Sequence, residues 1–129
     1  MKKPTKLTPA EWQIMDTVWK LGGAPSIREV LEKRFPKGEK AYTTVQTVMN
    51  TLVKKGVLTR KKIGLVNFYT PLIKKSDMVQ KETKGFISRL FGGSVPALAS
   101  YLLDSEELTL DEIEELKALL KKKEHKLKE

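Results

Sequence analysis

The chain has 129 residues, of which 40% are hydrophobic and 32% charged, and it contains no cysteine. This composition excludes a disordered chain, and the absence of thiols excludes disulfides, thiolate metal sites and cysteine nucleophiles. No apolar run approaches the length of a membrane span and no charged-then-apolar leader opens the chain, so we expect no membrane contact. The lack of cysteine agrees with a cytosolic protein but does not require one.

The net charge of +9 is unevenly distributed along the chain. Residues 1–75 hold 16 basic and 5 acidic side chains, whereas residues 76–129 hold 9 and 11. The first segment therefore carries all of the excess positive charge. We predict a polyanion-binding domain over residues 1–75 and a domain with another task over residues 76–129. A basic protein that is merely soluble is the alternative, but solubility does not require segregated charge.

Two short helices are predicted first in chain order. Capping boxes begin at Thr8 and at Ser26, each with a glutamate three residues later. The first helix is expected to end at Gly22-Gly23 and the second at about Arg34, before the chain break at Pro36-Lys37-Gly38.

The third predicted helix, over residues 43–55, lies in the segment AYTTVQTVMNTLVKKG. Thr43 and Thr44 are suited to cap it. Its buried stripe is predicted at i, i+3, i+4 and i+7, in the order Val45, Val48, Met49 and Leu52. The opposite face consists of Thr43, Thr44, Gln46, Thr47, Asn50, Thr51 and Lys54. A solvated face would be rich in Glu and Lys, whereas short hydrogen-bonding side chains suit the edges of base pairs. This pattern predicts a recognition helix.

Two strand-forming runs follow, within residues 57–70, and predict a β-hairpin. A hairpin directly after a recognition helix is the wing of a winged-helix domain. Its basic tip, with Arg60, Lys61 and Lys62, is expected to contact the phosphate backbone or the minor groove. The alternative is that these charges keep an edge strand soluble.

Three more helices are predicted in residues 76–129, and the last opens with a capping box at Thr109. Their apolar positions include Phe86, Leu90, Leu98, Leu102, Ile113, Leu116 and Leu120. So short a segment is too small to bury a good core by itself. We therefore predict a dimerisation arm built from these residues. The alternative is that the segment folds back onto its own winged-helix domain.

Other functional classes have weaker support in the sequence. The only histidine, His125, lies in a lysine-rich tail where it is expected to be solvated. Glu106-Glu107 and Glu114-Glu115 are ordinary capping and surface charges, and Trp12 and Trp19 have the spacing of core residues. We therefore expect no enzyme, no catalytic residue, no metal and no cofactor. Double-stranded RNA is disfavoured because its deep major groove excludes a recognition helix.

Several of these segments together resemble the penicillinase-repressor family of bacterial regulators (the BlaI/MecI/CopY group). The resemblance extends from Leu7 to Leu120 and rests on LTPAEWQIMDTVW, AYTTVQTVMNTLVKKG, the hairpin end FYTPL, and the arm GFISRLFGGSVPALASYLL with SEELTLDEIEELKALL. It implies a mainly α fold with a small β-hairpin, in which a winged helix-turn-helix domain precedes a helical dimerisation arm. It further implies a cytoplasmic homodimer that binds an inverted-repeat operator and represses genes, classically for β-lactam resistance or copper handling.

The resemblance also implies roles for individual residues. Base-reading positions fall at Thr43, Thr44, Gln46 and Thr47, and DNA backbone contacts are expected at Asn50, Lys54, Lys55, Arg60, Lys61 and Lys62. The paired cysteine motif of copper-sensing members is absent. In β-lactam-responsive members a sensor-linked protease cuts an Asn–Phe bond in the arm, where this chain has Tyr101-Leu102. The inducing signal therefore stays open. A winged helix that binds another protein, with non-specific nucleic-acid binding, is the alternative function, although it would not need so basic a first half.

Overall fold

The structure is a computed structural model that describes residues 6–129. In chain order the elements are α1 (Pro9–Leu21), α2 (Ile27–Arg34), α3 (Tyr42–Lys54), β1 (Leu58–Ile63), β2 (Val66–Pro71), α4 (Lys75–Phe91), α5 (Val95–Ser105) and α6 (Leu110–Leu127). The two strands form one antiparallel hairpin. The predicted fold class, mainly α with a small β-hairpin, is confirmed.

Helix starts follow the predicted capping chemistry with one exception. Thr8, Ser26 and Thr109 each accept a hydrogen bond from the backbone three residues on, and the glutamate there bonds back to the cap. The exception is α3, which begins at Tyr42 with Ala41 at its N-cap and no side-chain cap bond. The prediction that Thr43 and Thr44 cap this helix is wrong because both residues already lie within its first turn.

The hairpin turn is shorter than the sequence pattern suggested. β1 extends to Ile63, which pairs with Val66, so Lys61 and Lys62 lie in the strand and the turn consists of Gly64 and Leu65. Gly64 has a φ of 65°, which a glycine adopts without steric cost and which permits this two-residue turn.

The chain divides into two compact units, residues 1–83 and residues 84–129, and the division falls inside α4. In the first unit α1, α2 and α3 pack around one hydrophobic core that also receives Tyr69 from β2 and Met78 from α4. Tyr69 N–H donates to Pro25 O at 2.9 Å, and Phe68 forms an isolated antiparallel β-bridge with Ser26. These two backbone contacts hold β2 against the segment before α2. Trp19 packs on this core and donates from its indole N–H to Ile73 O at 3.0 Å.

The second unit, all of whose residues are described, contains no buried residue. It contains a row of three aromatic rings, Phe86, Phe91 and Tyr101, with successive centroids 5.9 Å apart. Over the described residues, no single helix is long and apolar enough to cross a bilayer; α4 and α5 together meet the test by length and composition only, with a 79° bend between them.

Candidate nucleic-acid interface

The outer face of α3 is the centre of the candidate site. Val45, Met49 and Leu52 are buried and Val48 is partly buried, which confirms the predicted stripe and orients the opposite face outward. Thr43, Thr44 and Thr47 are exposed on that face and Gln46 is half-exposed. The four predicted base-reading residues therefore share one accessible surface.

Hydrogen bonds within α3 limit what its threonines can offer to a ligand. The Thr47 hydroxyl donates to Thr43 O at 2.9 Å, and the Thr51 hydroxyl donates to Thr47 O at 2.9 Å. Each of these hydroxyls donates its only proton within the helix. The two threonine side chains can therefore offer a ligand only a methyl group and an acceptor oxygen. Among the described residues no hydrogen bond engages the Gln46 amide, so Gln46 keeps both its donor and its acceptor.

A three-residue cluster joins α3 to the hairpin. Asn50 Oδ1 accepts from Arg60 Nη1 and from Tyr69 Oη, each at 2.9 Å. Tyr69 is fully buried, and this burial raises the pKa of its phenol. Both acceptor positions of Asn50 Oδ1 are thus occupied, and the Asn50 NH₂ group remains available as a donor.

Sequence reasoning did not identify Tyr69 as part of this cluster. The signal lies in the strand register, since Arg60 and Tyr69 are directly opposite each other in the hairpin. Cross-strand partners project from the same face. Knowledge of the register would therefore have paired them, but the register depends on the position of the two-residue turn.

The two neighbouring lysines at the end of α3 differ in environment. Lys54 is exposed. Lys55 Nζ lies 2.6 Å from Glu11 Oε1, with side-chain exposures of 23% and 7%, and also donates to Lys6 O at 3.4 Å. The same Glu11 oxygen accepts from Thr8 N–H in the capping box of α1. Lys55 therefore ties the end of α3 to the start of α1, and its predicted contact with DNA stays a prediction.

The hairpin adds further positive charge beside α3. Arg60, Lys61 and Lys62 are all exposed on β1, and the hairpin contains no carboxylate. At the other end of α3, the Arg28 guanidinium lies 5.2 Å from the centre of the Tyr42 ring, a cation–π contact that the sequence did not reveal. Cations thus flank the polar face of α3 at both of its ends.

The residues predicted to form the dimer interface lie in the second unit. Phe86, Leu90, Leu102, Leu116 and Leu120 are exposed, and Leu98 and Ile113 are half-exposed. Tyr101 and Leu102, the candidate cleavage position, lie exposed within α5. Over residues 6–129 no group of three metal-ligating side chains is close enough to hold an ion.

Comparison with known proteins places this geometry in a family. The family model described as penicillinase repressor matches residues 7–122. The chain belongs to the penicillinase repressor family. It is similar to the methicillin resistance regulatory protein MecI of Staphylococcus aureus, with 33% identity over 94% of this chain and 98% of that protein. It is also similar to the penicillinase repressor of Bacillus licheniformis, with 30% identity over the full length of both chains.

A solved structure is similar to part of this member of the penicillinase repressor family. The solution structure of the DNA binding domain of the repressor BlaI superposes with a TM-score of 0.52 at 35% identity, over 60% of this chain and 93% of that one. The resemblance inferred from the sequence and the winged-helix architecture are both confirmed. The relatives are named as regulators, which agrees with the prediction that the chain is not an enzyme.

Proposed function

We propose that the protein is a homodimeric repressor that binds an inverted-repeat operator, with α3 of each protomer in a major groove. The observation that carries this proposal is the outer face of α3, where accessible Thr and Gln side chains lie opposite a buried apolar stripe. The relatives named as a methicillin resistance regulator and a penicillinase repressor support it, as does the similarity to a repressor's DNA binding domain.

Gln46 is proposed as the principal base-reading residue. An amide with a free donor and a free acceptor can bond the N6 and N7 atoms of adenine together. Thr47 cannot donate outward, so it would contact a thymine methyl or accept from an exocyclic amine. Thr43 and Thr44, on the first turn of α3, complete the reading surface.

Phosphate contacts are proposed on both sides of this surface. Lys54, Lys61 and Lys62 are exposed cations without a carboxylate partner among the described residues. Arg60 is held by Asn50, so its guanidinium is already oriented before DNA arrives, and the Asn50 NH₂ group is available to a phosphate oxygen. We assign Lys55 to the support of the domain instead, because its ammonium is paired with Glu11.

Residues 76–129 are proposed as the dimerisation domain that follows the DNA-binding domain of residues 1–75. In the second compact unit every large apolar side chain is at least partly exposed. Exposed apolar area is unfavourable at roughly 25 cal/mol per Å², so α5 and α6 gain stability when a second copy covers them. A twofold dimer then requires two half-sites about one helical turn, or a multiple of it, apart.

Induction is proposed to act through the arm, in the cytoplasm where the operator lies. One winged helix alone loses the linked contacts of the second, so a change that separates the protomers releases the operator. A sensor-linked protease that cuts near Tyr101-Leu102 is one such change. Because these residues lie inside α5, cleavage there requires local unfolding of that helix.

Selection of bound DNA from a random duplex pool, with purified full-length protein at near-physiological salt, tests the proposal. We expect recovery of an inverted repeat. Enrichment of no sequence, with binding that depends only on salt, would contradict it. That result would favour the alternative of a winged helix that binds another protein and contacts nucleic acid non-specifically.

A further inference from the structure

The end of the hairpin carries an apolar group that the proposed DNA contacts do not use. This wing tip consists of Ile63, Gly64, Leu65 and Val66. Leu65 is 94% exposed, Ile63 59% and Val66 45%. Leu65 thus keeps nearly all of its surface in water, at the outermost point of an otherwise basic hairpin.

We propose that the wing tip inserts the Leu65 side chain into the minor groove beside each half-site, where it wedges apart two adjacent base pairs and bends the duplex. This inference rests on the proposed operator binding and adds a contact to it. Leucine and isoleucine are among the side chains that act as such wedges in minor-groove proteins.

The turn presents Leu65 in a fixed position. Only Gly64 of the two turn residues has a positive φ, which is the pattern of a type II′ turn, and pairing continues up to Ile63 and Val66. A two-residue turn on a fully paired hairpin leaves little backbone freedom to lose on binding. The backbone that carries Leu65 is therefore already ordered before it meets a ligand.

The surrounding charge favours DNA as the occupant. The residues of β1 and β2 include Arg60, Lys61 and Lys62 and no carboxylate. Two copies of the hairpin would repel each other, whereas cations beside an apolar wedge match a groove lined by phosphates. The Arg60–Asn50 bond also holds the hairpin against α3, so both would meet the same duplex.

The test compares variants of the full-length protein on the selected operator, with 2-aminopurine placed in turn at each position flanking a half-site. We expect wild-type protein to raise the fluorescence at one step beside each half-site, where stacking is lost. Leu65→Ala should abolish this increase and weaken binding about 10-fold, since part of a leucine burial is lost. Because Leu65 is so exposed, Leu65→Ala is not expected to affect folding.

Two further variants separate a wedge from a backbone contact. Leu65→Lys adds a cation at the tip: it should also abolish the fluorescence increase if Leu65 is a wedge. Lys62→Ala should weaken binding and lower its salt dependence while the fluorescence increase is kept.

The inference would be overturned if wild-type protein left the 2-aminopurine fluorescence unchanged, or if wild type and Leu65→Ala bound the operator equally well. It would also be overturned if Leu65→Lys bound the operator more tightly and kept the fluorescence increase. None of these three outcomes would contradict the proposed function. Leu65-dependent binding to phosphatidylserine vesicles, together with Leu65-independent operator binding, would overturn it in favour of an anionic lipid surface. Failure to select any operator would instead count against the proposed function itself.

Discussion

Asn50 on α3 accepts a 2.9 Å hydrogen bond from the guanidinium of Arg60 on β1. The same oxygen accepts from the buried hydroxyl of Tyr69 on β2. One amide therefore connects α3 to both strands of the hairpin. Because this amide bonds to residues of both strands, it helps to hold the helix and the hairpin in a fixed relation before DNA binds.

Removal of the Asn50 acceptor should destabilise the protein. In Asn50→Ala the Tyr69 hydroxyl is left buried without its acceptor, which costs about 1–3 kcal/mol of unfolding free energy. Tyr69→Phe removes the hydroxyl that donates this bond. In a Tyr69→Phe background, Asn50→Ala should therefore lower the unfolding free energy markedly less than in wild type. Urea denaturation, monitored by tryptophan fluorescence, measures the loss in each background. Equal losses in the two backgrounds would show that the Asn50–Tyr69 bond does not contribute.

Lys54 and Lys55 provide a matched pair that separates stability from DNA binding. Lys55→Met leaves the nearly buried Glu11 carboxylate without its cation and should lower the unfolding free energy by about 1–3 kcal/mol. Lys54→Met should leave stability unchanged but weaken operator binding and flatten its salt dependence. Denaturation curves and salt titrations of binding test both statements. The opposite pattern would mean that Lys55, and not Lys54, is the phosphate contact.

An ion-pair cluster on Asp16 should give a small pH-dependent contribution to stability. Hydrogen bonds from Lys20 and Lys75 lower the pKa of Asp16 below its ordinary value of 3.8. A carboxyl whose pKa is lowered by folding stabilises the protein above its unfolded pKa and loses that effect as the pH falls through the folded pKa. Asp16→Asn should therefore be slightly less stable than wild type, by no more than about 1 kcal/mol, at neutral pH.

Unfolding of the wild-type and Asp16→Asn proteins at a series of pH values measures this contribution. The difference between them should stay constant down to about pH 4 and shrink below it. A difference that grew as the pH fell would show that the carboxylate is not stabilised by its two lysines.

Local sequence signals were sufficient for most of the fold. The capping boxes at Thr8, Ser26 and Thr109 marked three helix starts correctly, because the two partners of a capping box are three residues apart in the chain. The buried stripe of α3 followed in the same way from its periodicity. In both cases the residues that interact are close in sequence.

Contacts between distant residues were the part that the sequence did not reveal. The resemblance implies a phosphate contact for Lys55, whereas the pairing of Lys55 with Glu11 depends on how α1 packs on α3 and is not visible in either segment alone. The Asn50–Arg60–Tyr69 cluster depends on strand register, which is set by the position of the two-residue turn at Gly64-Leu65. The sequence therefore predicts which surface forms the candidate site, whereas the ion pair of Lys55 and the hydrogen bonds of Asn50 depend on the tertiary fold.

The arm should fail to dimerise when charge is placed on its apolar stripe. Ile113→Asp with Leu116→Asp puts two carboxylates where α6 is expected to meet a second copy, and we expect monomers with poor operator affinity. Ala118→Asp, which adds charge to another face of the same helix, is the control and should remain dimeric. Sedimentation velocity distinguishes the two states. A dimer in the double variant would show that α6 is not the interface.

The central claim is that the outer face of α3 reads DNA sequence, and Gln46 tests it most directly. The affinities of wild-type protein and Gln46→Ala are measured for the selected operator and for a set of operators that each carry one substituted base pair. We expect Gln46→Ala to lose about 1–3 kcal/mol of discrimination at one position of each half-site and to keep its preference elsewhere. Identical preferences at every position in the two proteins would contradict the role of Gln46 and, with it, the proposed orientation of α3 in the groove.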